Sequence, residues 1–232
     1  MRTLAVLPVK SFGLAKQRLG AAVGVDERRA LARAMVGDVL EALGRVARLE
    51  GVIVVTAEAA AVDAAGAAGI EDARGTGTAA RPWPLVEVVP DPSEAGQSAA
   101  ASLGIRAALT RGAERVLLVP GDCPALDPAE VDALLAPREA GVVIVPDRHG
   151  TGTNALLLAP PTAIAPAFGP GSFARHTALA GGAGRVAELP SLGLDVDTPG
   201  DLAALRGALA ARAGGAPRTR ALLDGIAAAH AA

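Results

Sequence analysis

The sequence predicts one α/β domain of three layers: a mostly parallel sheet between helices, with a small antiparallel insertion in its C-terminal half. Three observations carry this expectation. Strand-length apolar runs alternate with helical ones, the order that builds a parallel sheet with helical crossovers. The strand runs are continuous in Val, Ile and Leu, as strands buried on both faces read. The 232 residues suffice for one sizeable core and are few for two.

Taken in order, "TLAVLPV" (3–9) is the first strand, and it hands over to "KSFGLAKQRLG", which holds three cations, Lys10, Lys16 and Arg18, and no acid. "DERRALARAMVGDVLEALGRVARLE" (26–50) carries Leu31, Met35, Val39, Leu40, Leu43 and Val46 at helical spacing, with Asp26 as its expected N-cap. "GVIVVTA" (51–57) is a buried strand, followed by an alanine-rich helix from Glu58 to Ala68. A loop with Gly75, Gly77, Pro82 and Pro84 leads to the strand "LVEVVPD" (85–91). "GQSAAASLGIRAALTRG" reads as a helix ending at Gly112, and "RVLLVPGD" (115–122) as the most central strand. Next come a helix with Asp127 as N-cap and Pro128 at its first position, and the strand "GVVIVPD" (141–147).

"TNALLLAP" (153–160) follows that strand too closely for a helical crossover, so the two are expected to pair antiparallel or to diverge around a site. "GSFARHTALAGG" is a short helix, "RVAELP" a strand, and "TPGDLAALRGALAARAG" a helix capped by Thr198 with Pro199 at its first position. The main domain is expected over 1–213, with a linker and a last amphipathic helix over 214–232.

Composition excludes several classes. No apolar run reaches the ~20 residues of a spanning helix, and no signal-peptide pattern opens the chain, so a cytoplasmic protein is expected. The single cysteine, Cys123, excludes an internal disulfide framework and a Cys-based zinc site. A net charge of -2 gives no sign of a nucleic-acid surface.

In such sheets ligands bind where strands hand over to loops at their carboxyl ends. Those ends carry Lys10, Lys16 and Arg18, then Asp122 in "PGDCPALD", then Asp147, Thr151, Thr153 and Asn154 in "DRHGTGTN", then Asp195 and Asp197 in "DVDTPGDL". A basic loop and acids from separate loops, if they converge, suit a triphosphate with Mg²⁺, which favours few carboxylates plus phosphate oxygens. Each piece alone has a plainer account. The cations lack the Walker pattern and fit a solvated loop, and "GTGTN" fits a turn. Asp122 or Asp197 fits a cap, and Cys123 a small buried hydrophobe.

The segments "LPVKSFGLAKQRLG", "VPGDCPAL", "DRHGTGTNALLL", "FGPGSFARH" and "LDVDTPGDL" occur in an order that resembles the guanylyltransferases of deazaflavin coenzyme F-420 biosynthesis. These act on 2-phospho-L-lactate or phosphoenolpyruvate, and the resemblance runs from about Leu4 to Leu205. It implies a Rossmann-like nucleotidyltransferase of the nucleotide-diphospho-sugar transferase type that transfers GMP from GTP to a small phosphorylated three-carbon acid, releasing pyrophosphate, with Mg²⁺ as cofactor. It implies Lys10, Lys16, Arg18 and Asp122 as catalytic residues. Pro8, Lys10, Lys16, Gly96, Ser98, Pro120 and Gly121 would bind the nucleotide. Thr153, Asn154, Gly169, Ser172 and His176 would bind the acceptor, and Asp122, Asp195 and Asp197 the metal. No general base is required, because the acceptor phosphate is already an anionic nucleophile.

The chain departs from the family's "D-x-G-x-G-L-N-x-A-L": Gln97 replaces Leu and Ser98 replaces Asn, a change that bears on guanine selectivity. Its alanine-rich, arginine-preferring composition suggests a high-GC organism such as an actinobacterium, and in that setting the resemblance implies phosphoenolpyruvate as acceptor. A homodimer is left open, and no nucleic-acid or membrane partner is expected. Competing readings are another nucleotidyltransferase of the same fold, of molybdenum-cofactor or sugar-phosphate type, or a glycosyltransferase with "DVD" as metal motif, or a nucleotide-binding protein without turnover. No G-x-G-x-x-G joins the first strand to a helix, which argues against a dinucleotide-dependent oxidoreductase.

Overall fold

The computed structural model describes residues 1–14, 16–20, 23–58, 85–137 and 140–231. Among the described residues seven strands form one sheet in the order β3-β2-β1-β4-β6-β5-β7. They are β1 (Thr3–Val9), β2 (Gly51–Thr56), β3 (Leu85–Pro90), β4 (Arg115–Leu118), β5 (Gly141–Pro146), β6 (Thr153–Ala159) and β7 (Gly184–Val186). Strands β1 to β4 are mutually parallel, and β6 runs antiparallel to both its neighbours, β4 and β5. The short 146–153 connection dictates this, being long enough for a hairpin and too short for a crossover.

The inner strands β1, β2, β4 and β6 are buried on both faces, which is why they read as unbroken apolar runs. Alternate residues of β1 enter different cores: Ala5, Leu7 and Val9 one, Leu4 and Val6 the other. The first core is covered by α1 (Val25–Gly44) and α3 (Pro128–Leu135), the second by α2 (Gln97–Thr110) and α4 (Ser172–Ala180). A third cluster gathers Leu19, Leu31 and Met35 against α5 (Pro199–Ala210) and α6 (Pro217–Ala231).

The caps at Asp127 and Thr198 form as expected, each side chain accepting from the first turn of its helix. At α1 the expectation is corrected: Gly24 is the N-cap, and the Glu27 carboxylate reaches back to accept from the Gly24 N–H at 2.7 Å. That helix stops at Gly44, after which Asp132 accepts from the N–H groups of Ala47 and Arg48. Beyond Glu58, the helix expected to residue 68 and the loop with Gly75, Gly77, Pro82 and Pro84 lie outside the described residues. Helix α6 is anchored on α1 by Asp38, whose buried carboxylate accepts from the N–H groups of Arg218 and Thr219 at the helix start. Among the described residues no helix is long and apolar enough to cross a membrane.

Candidate active site

A cleft of about 510 Å³ opens at the carboxyl edge of β1, β3 and β4. It is lined by Pro8, Lys10, Lys16 and Arg18 from the loop after β1, by Pro120, Gly121 and Asp122 after β4, by Gly96 at the start of α2, and by Asp197 before α5. The cations and acids singled out in the sequence thus converge, because parallel strands deliver their following loops to one edge of the sheet. Close packing underlies the β4 wall: a Cβ on Gly121 would stand 3.0 Å from Val36 Cγ2. The Val196 N–H donates to the Asp122 carbonyl at 3.2 Å, which ties the loop before α5 to the loop after β4.

Lys16 is the hub. Its ammonium donates to Asp122 Oδ2 at 2.5 Å and to Asp197 Oδ1 at 3.0 Å, with only 8% of its side chain exposed. Burial by itself would lower the Lys16 pKa, but the charges of Asp122 and Asp197 outweigh it and hold the ammonium well above the usual lysine range. Its backbone is left-handed, with φ 58°. Three non-glycine residues among those described have positive φ, and two of them, Lys16 and Glu94, line the cleft. Glu94 accepts from the Ser11 N–H at 2.9 Å and hydroxyl at 2.6 Å, pinning the basic loop to the segment after β3.

Asp195, expected with Asp122 and Asp197, does not line the cleft; its Oδ1 takes the Asn154 amide at 3.1 Å. Burial raises its pKa, as do the charges of Asp122 and Asp197, against the lowering by Asn154. Among the described residues no three His, Cys, Asp or Glu side chains gather into a metal cage. The donors present fit a different arrangement. Asp122 Oδ1 is buried with no hydrogen-bond partner, and beside it stand the Asp197 carboxylate and room for phosphate oxygens. One or two carboxylates completed by substrate phosphates is how Mg²⁺ is commonly held.

None of the residues expected for the acceptor lines the cleft; Asn154 turns to Asp195 and the Leu192 carbonyl, while Thr153, Ser172 and His176 form a cluster beside Gly169. Ser172 Oγ accepts from the Thr153 N–H at 2.9 Å, and Thr153 Oγ1 lies 2.9 Å from His176 Nδ1. His176 Nε2 accepts from the Ala167 N–H at 2.8 Å, so Nδ1 carries the proton of the neutral ring. Burial, then the Arg175 charge, pulls the His176 pKa down to about 4. Gly169 and Gly171, at φ 108° and 71°, turn the adjoining loop, and the Arg175 guanidinium donates to the carbonyls of Ala167, Phe168 and Pro170. Ser98, expected at the nucleotide, instead accepts from the Phe168 N–H at 2.8 Å and binds this loop to α2.

Two further contributions were not singled out from the sequence. Asp91 and Glu94 line the cleft after β3, and the strand-end rule that found Asp122 points equally to Asp91. Asp201 accepts from the N–H groups of Asp197 and Thr198 and from the Arg148 guanidinium, which fixes the Asp197 loop against the β5–β6 turn. No local sequence signal pairs Arg148 with Asp201.

Comparison with known proteins agrees with this geometry. Residues 28–176 match the MobA-like NTP transferase domain. A crystal structure from Desulfovibrio desulfuricans G20, assigned as a nucleotide-diphospho-sugar transferase, superposes with a TM-score of 0.67 at 21% identity, over 98% of this chain and 96% of that one. A nucleotidyl transferase from Methanothermobacter superposes at 0.55 with 20% identity, over 91% and 99%. Domain and fold define a nucleotidyltransferase. Phosphoenolpyruvate guanylyltransferase of Conexibacter woesei is 49% identical over 230 residues, 97% of this chain and 96% of that protein. The enzyme of that name from Sphaerobacter thermophilus is 40% identical over 211 residues, 89% and 94%. The chain belongs to the phosphoenolpyruvate guanylyltransferase family.

Proposed function

We propose that this enzyme transfers the guanylyl group of GTP to phosphoenolpyruvate. A phosphate oxygen of the acceptor forms a bond to the α-phosphorus, the bond from that phosphorus to the bridging oxygen breaks, and pyrophosphate leaves. The observation that carries this reading is the convergence of Lys10, Lys16 and Arg18 with Asp122 and Asp197 in one cleft. The cations bind the triphosphate and offset the charge that grows on the leaving pyrophosphate. Pro8, Gly96, Pro120 and Gly121 form the nucleotide's walls. Asp122 and Asp197 would hold Mg²⁺, which when bound neutralises phosphate charge and orients the triphosphate. The acceptor lies against the 167–172 loop, and the Thr153, Ser172 and His176 cluster acts on it by fixing that loop. The product suits coenzyme F-420 biosynthesis.

The test is pyrophosphate release with Mg²⁺, offering GTP or ATP, each with phosphoenolpyruvate, 2-phospho-L-lactate or no acceptor. Release that needs GTP and phosphoenolpyruvate is expected. Release with ATP, or without an acid, would refute the assignment.

A further inference from the structure

The Asp122–Asp197 pair holds an ammonium where a nucleotidyltransferase needs a divalent cation, and this concerns the chain's own Lys16. We propose that Lys16 is the resident counter-ion of this pair in the nucleotide-free enzyme. A divalent cation and the Lys16 ammonium then compete for the same carboxylates. The inference rests on the metal assignment above and adds an exchange: the cation displaces the ammonium, which is freed toward the triphosphate.

Three observations support it. One Lys16 ammonium spans both carboxylates, at 2.5 and 3.0 Å, so two acids that would repel each other are held together by it. The ammonium leaves Asp122 Oδ1 buried and unpartnered, an acceptor that an incoming cation can use. Lys16 also has a left-handed backbone at φ 58°, a conformation unfavourable for a residue with a Cβ, so the side chain that bridges the acids is carried on a strained turn. Lys10 and Arg18 line the same cleft, so the freed ammonium remains beside the other cations. The device lets the pocket keep its two acids apposed without metal. It also makes a free divalent ion work against an internal competitor, an obstacle eased when nucleotide phosphates arrive to accept the displaced ammonium.

The chain has only two lysines, Lys10 and Lys16, which makes the exchange measurable residue by residue. Without nucleotide or acceptor, Mn²⁺ binding is followed by electron paramagnetic resonance in the wild type and in Lys16→Met. In parallel, acylation of wild-type Lys16 relative to Lys10 is quantified by mass spectrometry across a Mn²⁺ titration. Lys16→Met is expected to bind Mn²⁺ at least about tenfold more tightly. Lys16 is expected to be protected without metal and to gain reactivity as Mn²⁺ binds, while Lys10 stays constant. Equal or weaker binding by Lys16→Met, or binding by neither chain, would overturn the proposal. So would a Lys16 that stays protected in Mn²⁺-saturated wild type. Should Lys16→Met fail to fold, the wild-type labelling decides alone. Because nucleotide is absent, failure of the exchange is distinguishable from failure of the guanylyl-transfer reading.

Discussion

Protonation of His176 should undo the acceptor-side loop. The ring is fully buried, its Nε2 accepts from the Ala167 N–H, and its Nδ1 faces Thr153 Oγ1. An imidazolium cannot accept at Nε2, so charging the ring costs both desolvation and the Ala167 bond. The folded-state pKa is about 4, against 6.5 for the free side chain. The unfolded chain therefore binds a proton in this window that the folded chain refuses. Stability from the neutral ring is fully present above pH 6.5 and is lost as pH falls toward 4. The gap corresponds to about 3 kcal/mol, lost at about 1.4 kcal/mol per pH unit where the difference is one whole proton. Urea unfolding of the wild type and of His176→Gln between pH 7 and 4 isolates this contribution, since the carboxylates titrate in both. The wild type should lose more stability on acidification, by up to that amount. Parallel pH dependences would refute the reasoning.

Other expectations address the site and the packing. Asp122→Asn should lower metal-dependent kcat by about 10²-fold or more while leaving the circular dichroism spectrum intact; retained turnover would remove Asp122 from the metal site. Ser172→Ala removes the acceptor of the buried Thr153 N–H, costing about 1–3 kcal/mol, and should raise the KM of the acceptor more than that of GTP. Equal effects on both would place the acceptor elsewhere. Asp201→Asn weakens the hold on the Asp197 loop and should raise the Mg²⁺ concentration needed for half-maximal activity; an unchanged requirement would show that Asp197 keeps its position without it. In Gly104→Ala the new Cβ would stand 2.2 Å from Val6 Cγ1 and 3.0 Å from Val55 Cγ2. Overpacking of about 1–3 kcal/mol should exceed the gain in helix propensity of about 1 kcal/mol, lowering the urea midpoint.

Sequence alone determined the layers, most strands and the strand ends that meet at the cleft. Continuous apolar runs specify buried strands, and parallel strands send their loops to a common edge, so Lys10, Lys16, Arg18, Asp122 and Asp197 could be grouped before any contact was visible. For β6 the chain length left antiparallel pairing or divergence open, and the structure shows the pairing. Tertiary structure decided the features that depend on contacts between distant segments. The Arg148–Asp201 pair, the Ser98–Phe168 bond and the Glu94–Ser11 clasp join residues tens of positions apart, and pairing at that range leaves no periodicity in the chain. Gly24 replaces Asp26 as cap because the Glu27 carboxylate reaches the Gly24 N–H, a choice between neighbours that spacing leaves open. For His176 the sequence offered an acceptor role through the family resemblance, but no partner and no protonation state. Burial and the Ala167 N–H make it a neutral ring, because a proton's cost is set by surroundings that only the folded chain assembles.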